Sequence, residues 1–392
     1  MPQHETLNSM TPLFQDQPML MTLLRQFQDG ILVCDSAGIV VEFNQALKEL
    51  LKLNSAVLGK HAAQCIVQDD FPVLLDMALS TGEFFEKEIS LKLEKPAIKK
   101  LYLEVRFIPL SLPKHTETAT DQAAGKRADA CIIIFHDVTV IRVTEKMRRD
   151  FVANVSHELR TPLSAIEGYA ETLLEGALDD DAVRHDFVKV IHRHAIRLTH
   201  LVSDLLDLSK LESPDYIPIL SPSSLVDLVE SQIKELAQEK AKEKEIALRF
   251  HFEDPLPMVM ADNSSLQQVI TNLIDNAIKY TPKKGQVTLK ARVIEQAVSK
   301  SSKPQKQSNQ PKVKKMIQVD VIDNGIGIES KYFSRLFERF YRVDKARSRE
   351  MGGTGLGLSI VKHIVQLHEG EIWVNSKVNQ GSTFSFTLQV AS

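Results

Sequence analysis

Between Val140 and Leu211 the chain writes two long apolar stripes, and no other feature restricts its fold so tightly. Val140, Val143, Met147 and Phe151 are separated by three, four and four residues, an eleven-residue repeat close to the natural helix period. Phe187, Ile191, His194, Leu198, Leu201, Leu205 and Leu208 alternate steps of four and three, which is a heptad seam. Gly176 and the acidic run Asp179 to Asp181 separate the two stretches. A hairpin of two such helices leaves apolar surface uncovered. A second copy completes a four-helix bundle, so the pattern predicts a homodimer built on this segment.

At 392 residues the chain is long enough for two or three domains, and this hairpin accounts for one. Upstream, GILVCD, GIVVEFN, LYLEVRFIPL and ACIIIFHD read as strands, and QALKELLKL has helical spacing. A polar run before the last of these strands, PKHTETATDQAAGKRAD, reads as a mobile loop. Downstream of Pro214, helices (SSLVDLVESQIKELAQE, SSLQQVITNLIDNAIKY) mix with strands (QVTLKARVIE, MIQVDVID, STFSFTLQV), an α/β arrangement. Residues 296–315 hold six lysines and no acid, and read as a disordered extension of a hairpin.

Composition narrows the class. Hydrophobic content of 43% and charged content of 25% are those of a soluble globular protein. A net charge of -3 speaks against general nucleic-acid binding. Cys34, Cys65 and Cys131 have no paired spacing, which excludes a disulfide framework or a cysteine-based zinc site. There is no export signal at the start and no run of eighteen apolar residues, so a cytoplasmic protein without a membrane span is expected.

The stretch FVANVSHELRTPL carries the first chemistry. Val155 and Leu159 lie two residues to either side of His157, about 200° around a helix, so His157 faces solvent if they face the core. Glu158 stands beside it. Pro162 cannot donate to the carbonyl of Glu158, which predicts a bend one turn on. Farther along, Asn272, Asn276 and Lys279 share a helical face. DNGIGI follows a strand at Asp323 to Ile328, and GGTGLGLSIVK opens a helix with glycines, where backbone amides can meet phosphate. Each piece alone is weak. Neither a P-loop nor a dinucleotide fingerprint fits the spacing.

In this order HELRTP, NLIDNAIKYT, DNGIGI, FERFYRVD and GGTGLGLSIVK resemble the H, N, G1, F and G2 boxes of bacterial sensor histidine kinases. The likeness covers roughly Val140 to Val390, and its fine pattern is most similar to the phosphate-regulon sensor kinases. The upstream strands, with Asp137 to Thr139 leading into a helix, resemble a PAS domain.

The resemblance implies a multidomain chain. Residues 1–22 would form a tail and 23–138 an α+β PAS-like sensor. Residues 139–213 would form a signal helix plus an antiparallel helical hairpin for dimerisation and histidine phosphotransfer. Residues 214–392 would form an α/β sandwich ATP-binding domain of the histidine kinase/Hsp90-like type.

The same resemblance implies autophosphorylation of His157 by ATP, transfer to an aspartate of a response regulator receiver domain, and phosphatase activity on that regulator. Glu158 would take or hold the imidazole proton, and Thr161 would orient water against the phosphorylated regulator. Asn276 would hold Mg²⁺, supported by Asn272, with Lys279 meeting phosphate. Asp323 would accept a hydrogen bond from the adenine amino group, which guanine cannot offer. Gly325, Gly327, Gly353, Gly355 and Gly357 would shape the pocket, with Tyr280, Thr354, Leu356 and Thr383 also lining it. The loop VDKARSREMGG would be a lid anchored by Phe337 and Phe340. The PAS-like part leaves room for an unknown small ligand.

Two other readings use the same nucleotide fold: an ATPase without histidine transfer, and an inactive regulatory scaffold. The HELRTP helix and heptad hairpin argue against the first, and five intact motifs against the second.

Overall fold

Continuous apolar runs form β1 (Gly30–Asp35) and β5 (Ala130–Asp137), which share one sheet with β2 (Val40–Phe43), β3 (Phe85–Leu93) and β4 (Lys99–Leu110). These strands pair antiparallel in the order β2-β1-β5-β4-β3. The computed structural model describes residues 26–53, 55–66, 68, 70–93, 99–111, 127–297, 313–344 and 353–391. The expected N-terminal tail, the loop at 112–126, positions 298–312 of the lysine-rich insert and the lid at 345–352 lie outside the described residues. The chain divides into two units, Met1–Asp150 and Phe151–Ser392.

In the first unit α1 (Gln45–Leu51) is capped by Asn44, whose Oδ1 accepts from Leu47 N and Ile31 N at 2.9 Å each. His61 caps α2 (Ala62–Cys65) through Nδ1, a structural task. The helix α3 (Phe71–Thr81) buries Phe71, Leu75, Ala78 and Leu79 on the sheet. Phe71 meets Phe107 and Phe135 at ring separations of 5.3 and 6.2 Å. Strand β3 and helix α3 add to the elements expected from the sequence. His136 pairs with Asp29 at 2.7 Å.

The second unit contains most of α4 (Thr139–Leu174) and all of α5 (Asp181–Leu211). Tyr169 and Phe187 close the hairpin with ring centroids 5.0 Å apart. Of the heptad seam, Leu201 and Leu208 are each 2% exposed, in the core that the hairpin shares with the C-terminal elements, while Phe187, Ile191, His194, Leu198 and Leu205 are half-buried. At those two positions the seam packs within its own chain. The apolar row left outward is different, with Val188, Val202 and Leu206 exposed on α5 and Val152, Leu163 and Leu174 on α4. On α5 that row steps by fourteen and four residues, and on α4 by eleven and eleven, again helical periods.

The C-terminal sheet joins β7 (Ala247–Phe252), β9 (Gln286–Ala297), β10 (Val313–Asp323), β11 (Ile372–Lys377) and β12 (Gly381–Gln389). Its order is β11-β12-β10-β9-β7, with only β7 and β9 parallel; β6 (Ser221–Ser223) pairs separately with β8 (Val259–Ala261). The helical layer is α6 (Leu225–Leu228), a π-turn (Val229–Ile233), α7 (Lys234–Glu243), α8 (Asn263–Tyr280) and α9 (Gly357–Leu367). Ile317, Val319 and Val321 of β10 and Phe384, Phe386 and Leu388 of β12 share one core with that layer. Among the described residues, no helix is long and apolar enough to cross a membrane.

Candidate active site

His157 is exposed on α4 while Val155 and Leu159 pack toward the core, as their spacing predicts. Pro162 is buried inside α4, yet the helix runs through it unbroken. Thr161 donates its hydroxyl to the carbonyl of His157 at 3.1 Å, a bond within the helix itself.

Glu158 has stronger partners. Arg197 of α5 donates from Nη2 to its Oε2 at 2.7 Å, and Arg342 donates to the same oxygen at 3.0 Å. The side chains of Glu158, Arg197 and Arg342 are 13%, 9% and 5% exposed, so the triad is nearly dry. Arg342 also donates to the carbonyl of Thr354 at 2.6 Å.

The nucleotide side begins at the end of β10. Asp323 Oδ1 accepts from Gly325 N at 2.8 Å and from Ser382 N at 3.2 Å. Burial raises the Asp323 carboxyl above its ordinary range, and these two amides partly oppose that. Gly327 has φ +67° and Gly381 has φ +93°. A Cβ on Gly327 would overlap the carbonyl of Lys377, and one on Gly381 the carbonyl of Asp323. Main chain therefore walls the turn on two sides. Gly325 abuts the carbonyl of Tyr280, which also accepts from Ile326 N at 3.4 Å.

Helix α8 presents Asn272, Asn276 and Lys279 half-buried. Asn272 Oδ1 lies beside Gly357, the first residue of α9, so the N box meets the G2 turn. Lys279 is pushed down to about 8, first by burial and then by Arg342, Arg197 and Lys244. Gly355 accepts from Phe340 N at 2.8 Å, Gly353 is half-buried, and Leu356 is fully buried just before α9.

Contacts across to the hairpin are several. Thr354 donates its hydroxyl to Asp204 Oδ2 at 2.5 Å. Arg339 pairs with Glu212, and Phe340 meets Phe151 at a tilt with centroids 5.8 Å apart. Phe340 is buried and Phe337 packs on Phe384.

One expected lining residue is misplaced. Thr383 pairs with Ile322 and Asn375, on the side of β12 opposite the core-facing Phe384 and Phe386. Alternation therefore turns it away from Asp323, and Ser382 takes the place beside that carboxylate. Arg197, Arg342, Asp204 and Ser382 join the site without having been singled out in the sequence.

The donor set suits a polyphosphate nucleotide. A backbone-walled turn adjoins a buried carboxylate, Arg197 and Arg342 meet on Glu158, and Lys279 lies within electrostatic reach of both arginines. The amide oxygen of Asn276 is a hard ligand of the kind Mg²⁺ prefers.

Comparison with known proteins follows the same segments. The PAS domain family matches residues 28–140 and the His Kinase A (phospho-acceptor) domain matches 147–214. The family of histidine kinase-, DNA gyrase B- and HSP90-like ATPases matches residues 261–392. The sensor protein kinase WalK of Staphylococcus aureus is 32% identical over 372 residues, covering 94% of this chain and 80% of that protein. The chain belongs to the sensor histidine kinases.

Within that family, the phosphate regulon sensor protein PhoR of Pseudomonas aeruginosa is 31% identical, over 91% of this chain and 71% of its own length. The likeness to phosphate-regulon sensors is thus matched by one at about the same level as by WalK proteins. The sensor histidine kinase WalK of Bacillus subtilis is 32% identical over 94% of this chain. This histidine kinase chain spans about half, 55%, of that relative's length.

Proposed function

We propose that the chain is an autophosphorylating protein-histidine kinase that passes its phosphoryl group to an aspartate of a response regulator receiver domain. The observation that supports this is the tie between Glu158, next in sequence to the exposed His157, and Arg342 of the nucleotide domain. A ring nitrogen of His157 attacks the terminal phosphorus of ATP, and the bond to the bridging oxygen of the leaving ADP breaks. Glu158 takes or holds the proton of the imidazole, a contribution of about 10²–10⁴ in rate. Asp323 accepts from the adenine amino group, and Lys279 meets phosphate. When bound, Mg²⁺ neutralises charge on the transferred group, and Asn276, supported by Asn272, is its ligand from this chain. Thr161 serves dephosphorylation of the regulator by orienting water.

In this reading residues 23–138 are the sensor, 139–213 the signal helix and phosphotransfer hairpin, and 214–392 the catalytic domain. A second copy covers the outward row Val152, Leu163, Val188, Val202 and Leu206. The test is transfer of label from γ-labelled ATP. The parent chain takes acid-labile label and hands it to a receiver domain, and His157→Gln takes none. Label that persists in His157→Gln overturns the assignment.

A further inference from the structure

The three cysteines are free, and the fold treats them unequally. Their spacing in the sequence pairs none of them, yet the register of β1 against β5 sets Cys34 directly opposite Cys131. Both are 0% exposed in the core of the first unit, and the cross-strand pair Leu32 and Ile133 lies next to them on the same face. The Cys34 thiol leans across the ladder and donates to the carbonyl of Cys131 at 3.6 Å. Its proton is held more tightly than in an ordinary thiol, first by the Cys131 side chain and then by burial. Cys65 lies on α2, half-buried, with its thiol on the carbonyl of His61.

Residues directly opposite in an antiparallel ladder have Cα atoms about 4.5–5.5 Å apart, inside the roughly 4.4–6.8 Å that a disulfide spans. Their Cβ atoms, also about 4.5–5.5 Å apart, must close to about 3.5–4.5 Å. A shift of that size is small for a strand, and the ladder from β1 to β2 is already irregular between Val33 and Cys34. We propose that Cys34 and Cys131 form a dithiol site in the core of the PAS domain, which a hydroperoxide closes to a cross-strand disulfide.

One thiol gives up its proton, its sulfur attacks an oxygen of hydrogen peroxide, and the O–O bond breaks to leave a sulfenic acid and one water. The second sulfur attacks the first, the S–O bond breaks, and the hydroxyl leaves as another water with the second thiol's proton. Two thiols are thereby oxidised to one disulfide, and the peroxide is reduced to two waters. The closed core keeps Cys34 protonated and out of solvent, so the reaction is slow and runs through local opening of the sheet. The two cysteines are 97 residues apart, so the bridge encloses β2, β3, β4 and the three helices of the unit. It also lies on the strand that leads into α4.

The experiment treats the full reduced chain with excess hydrogen peroxide in native buffer, then alkylates it under denaturing conditions and maps it by mass spectrometry. The expected product is a Cys34–Cys131 bridge within one chain, reopened by dithiothreitol, and Cys65→Ser should form it as the parent does. The same treatment of the chain unfolded by denaturant should give mixed bridges, with the shorter loop between Cys34 and Cys65 favoured. Cys34 and Cys131 both still alkylated after Cys65 is fully oxidised would overturn the proposal. So would bridges that mainly involve Cys65 or join two chains, or the same selectivity in the unfolded chain. Cys34→Ala is expected to leave Cys131 open to alkylation, and loss of that thiol at the parent's rate also counts against the site. Should Cys34→Ala fail to fold, the map of Cys65→Ser decides alone.

Discussion

On the hairpin, Glu158 is held by two guanidinium groups, one from Arg197 and one from Arg342. In the nucleotide domain, Asp323 is held by the main-chain amides of Gly325 and Ser382. Both carboxylates are largely buried, yet the means differ in kind. Side-chain cations bring full charge and long reach, and they are left stranded if the carboxylate goes. Amides bring partial charge, and they remain in a turn and a strand whose other bonds persist. The two regions should therefore fail differently when their acid is removed.

The largest contrast is in stability. Glu158→Ala removes the carboxylate that two buried guanidiniums share, and a cost of about 3–5 kcal/mol is expected in denaturant unfolding of the second unit. The sequence alone suggests instead that this change slows the reaction and leaves folding intact. A loss below about 1 kcal/mol would mean that the triad is solvated, and the contrast with Asp323 would collapse.

The hairpin also faces outward where the nucleotide domain does not. Leu206 is 66% exposed, so Leu206→Asp should leave the single chain folded but place a charge in the bundle that a second copy forms. Light scattering should report monomers. Dimers of unchanged mass would move the interface elsewhere. Leu201→Asp is no substitute for this test, because Leu201 is buried within its own chain.

Asp323→Ala should act on the ligand more than on the fold. A weakening of ATP binding by ~1–3 kcal/mol is expected by calorimetry, the range for a hydrogen bond to a charged partner. The same variant should lose less stability than Glu158→Ala. The reverse order would show that the amide-held acid, not the ion-paired one, supports the fold.

The smallest effect concerns pH. Lys279 has its value lowered to about 8, and a phosphate anion against it would raise that value in the complex. Its contribution to ATP affinity is then complete below about pH 8 and fades as pH rises through the higher value of the complex, by up to roughly tenfold. Affinities that stay level to about pH 9.5, or that fall equally in Lys279→Met, would remove Lys279 from the phosphate site.

The same comparison explains what the sequence made legible. Asp323 could be read because one partner sits two residues away in DNG and the turn glycines adjoin it. The partners of Glu158 lie thirty-nine and one hundred and eighty-four residues away, and no local pattern marks them. Helical steps on α5 were plain, but which stripe stays outside depends on the C-terminal elements that cover Leu201 and Leu208. The motif places Thr383 where its neighbour Ser382 stands, because a motif fixes a segment to within a residue while side chains along a strand change face at each one.

Gly327 and Gly381 press main chain against main chain around the Asp323 turn. A pocket with side-chain walls can change its preference by exchanging those walls. Here two sides have nothing to exchange, so with Asp323 as the proposed reader of the base, altering base choice requires changing the acid itself. Mutations accumulating in the surrounding core can alter stability without altering which base is read. Nucleotide preference and fold robustness are thereby inherited as separate traits, and directed evolution toward another nucleotide should stall everywhere except at position 323.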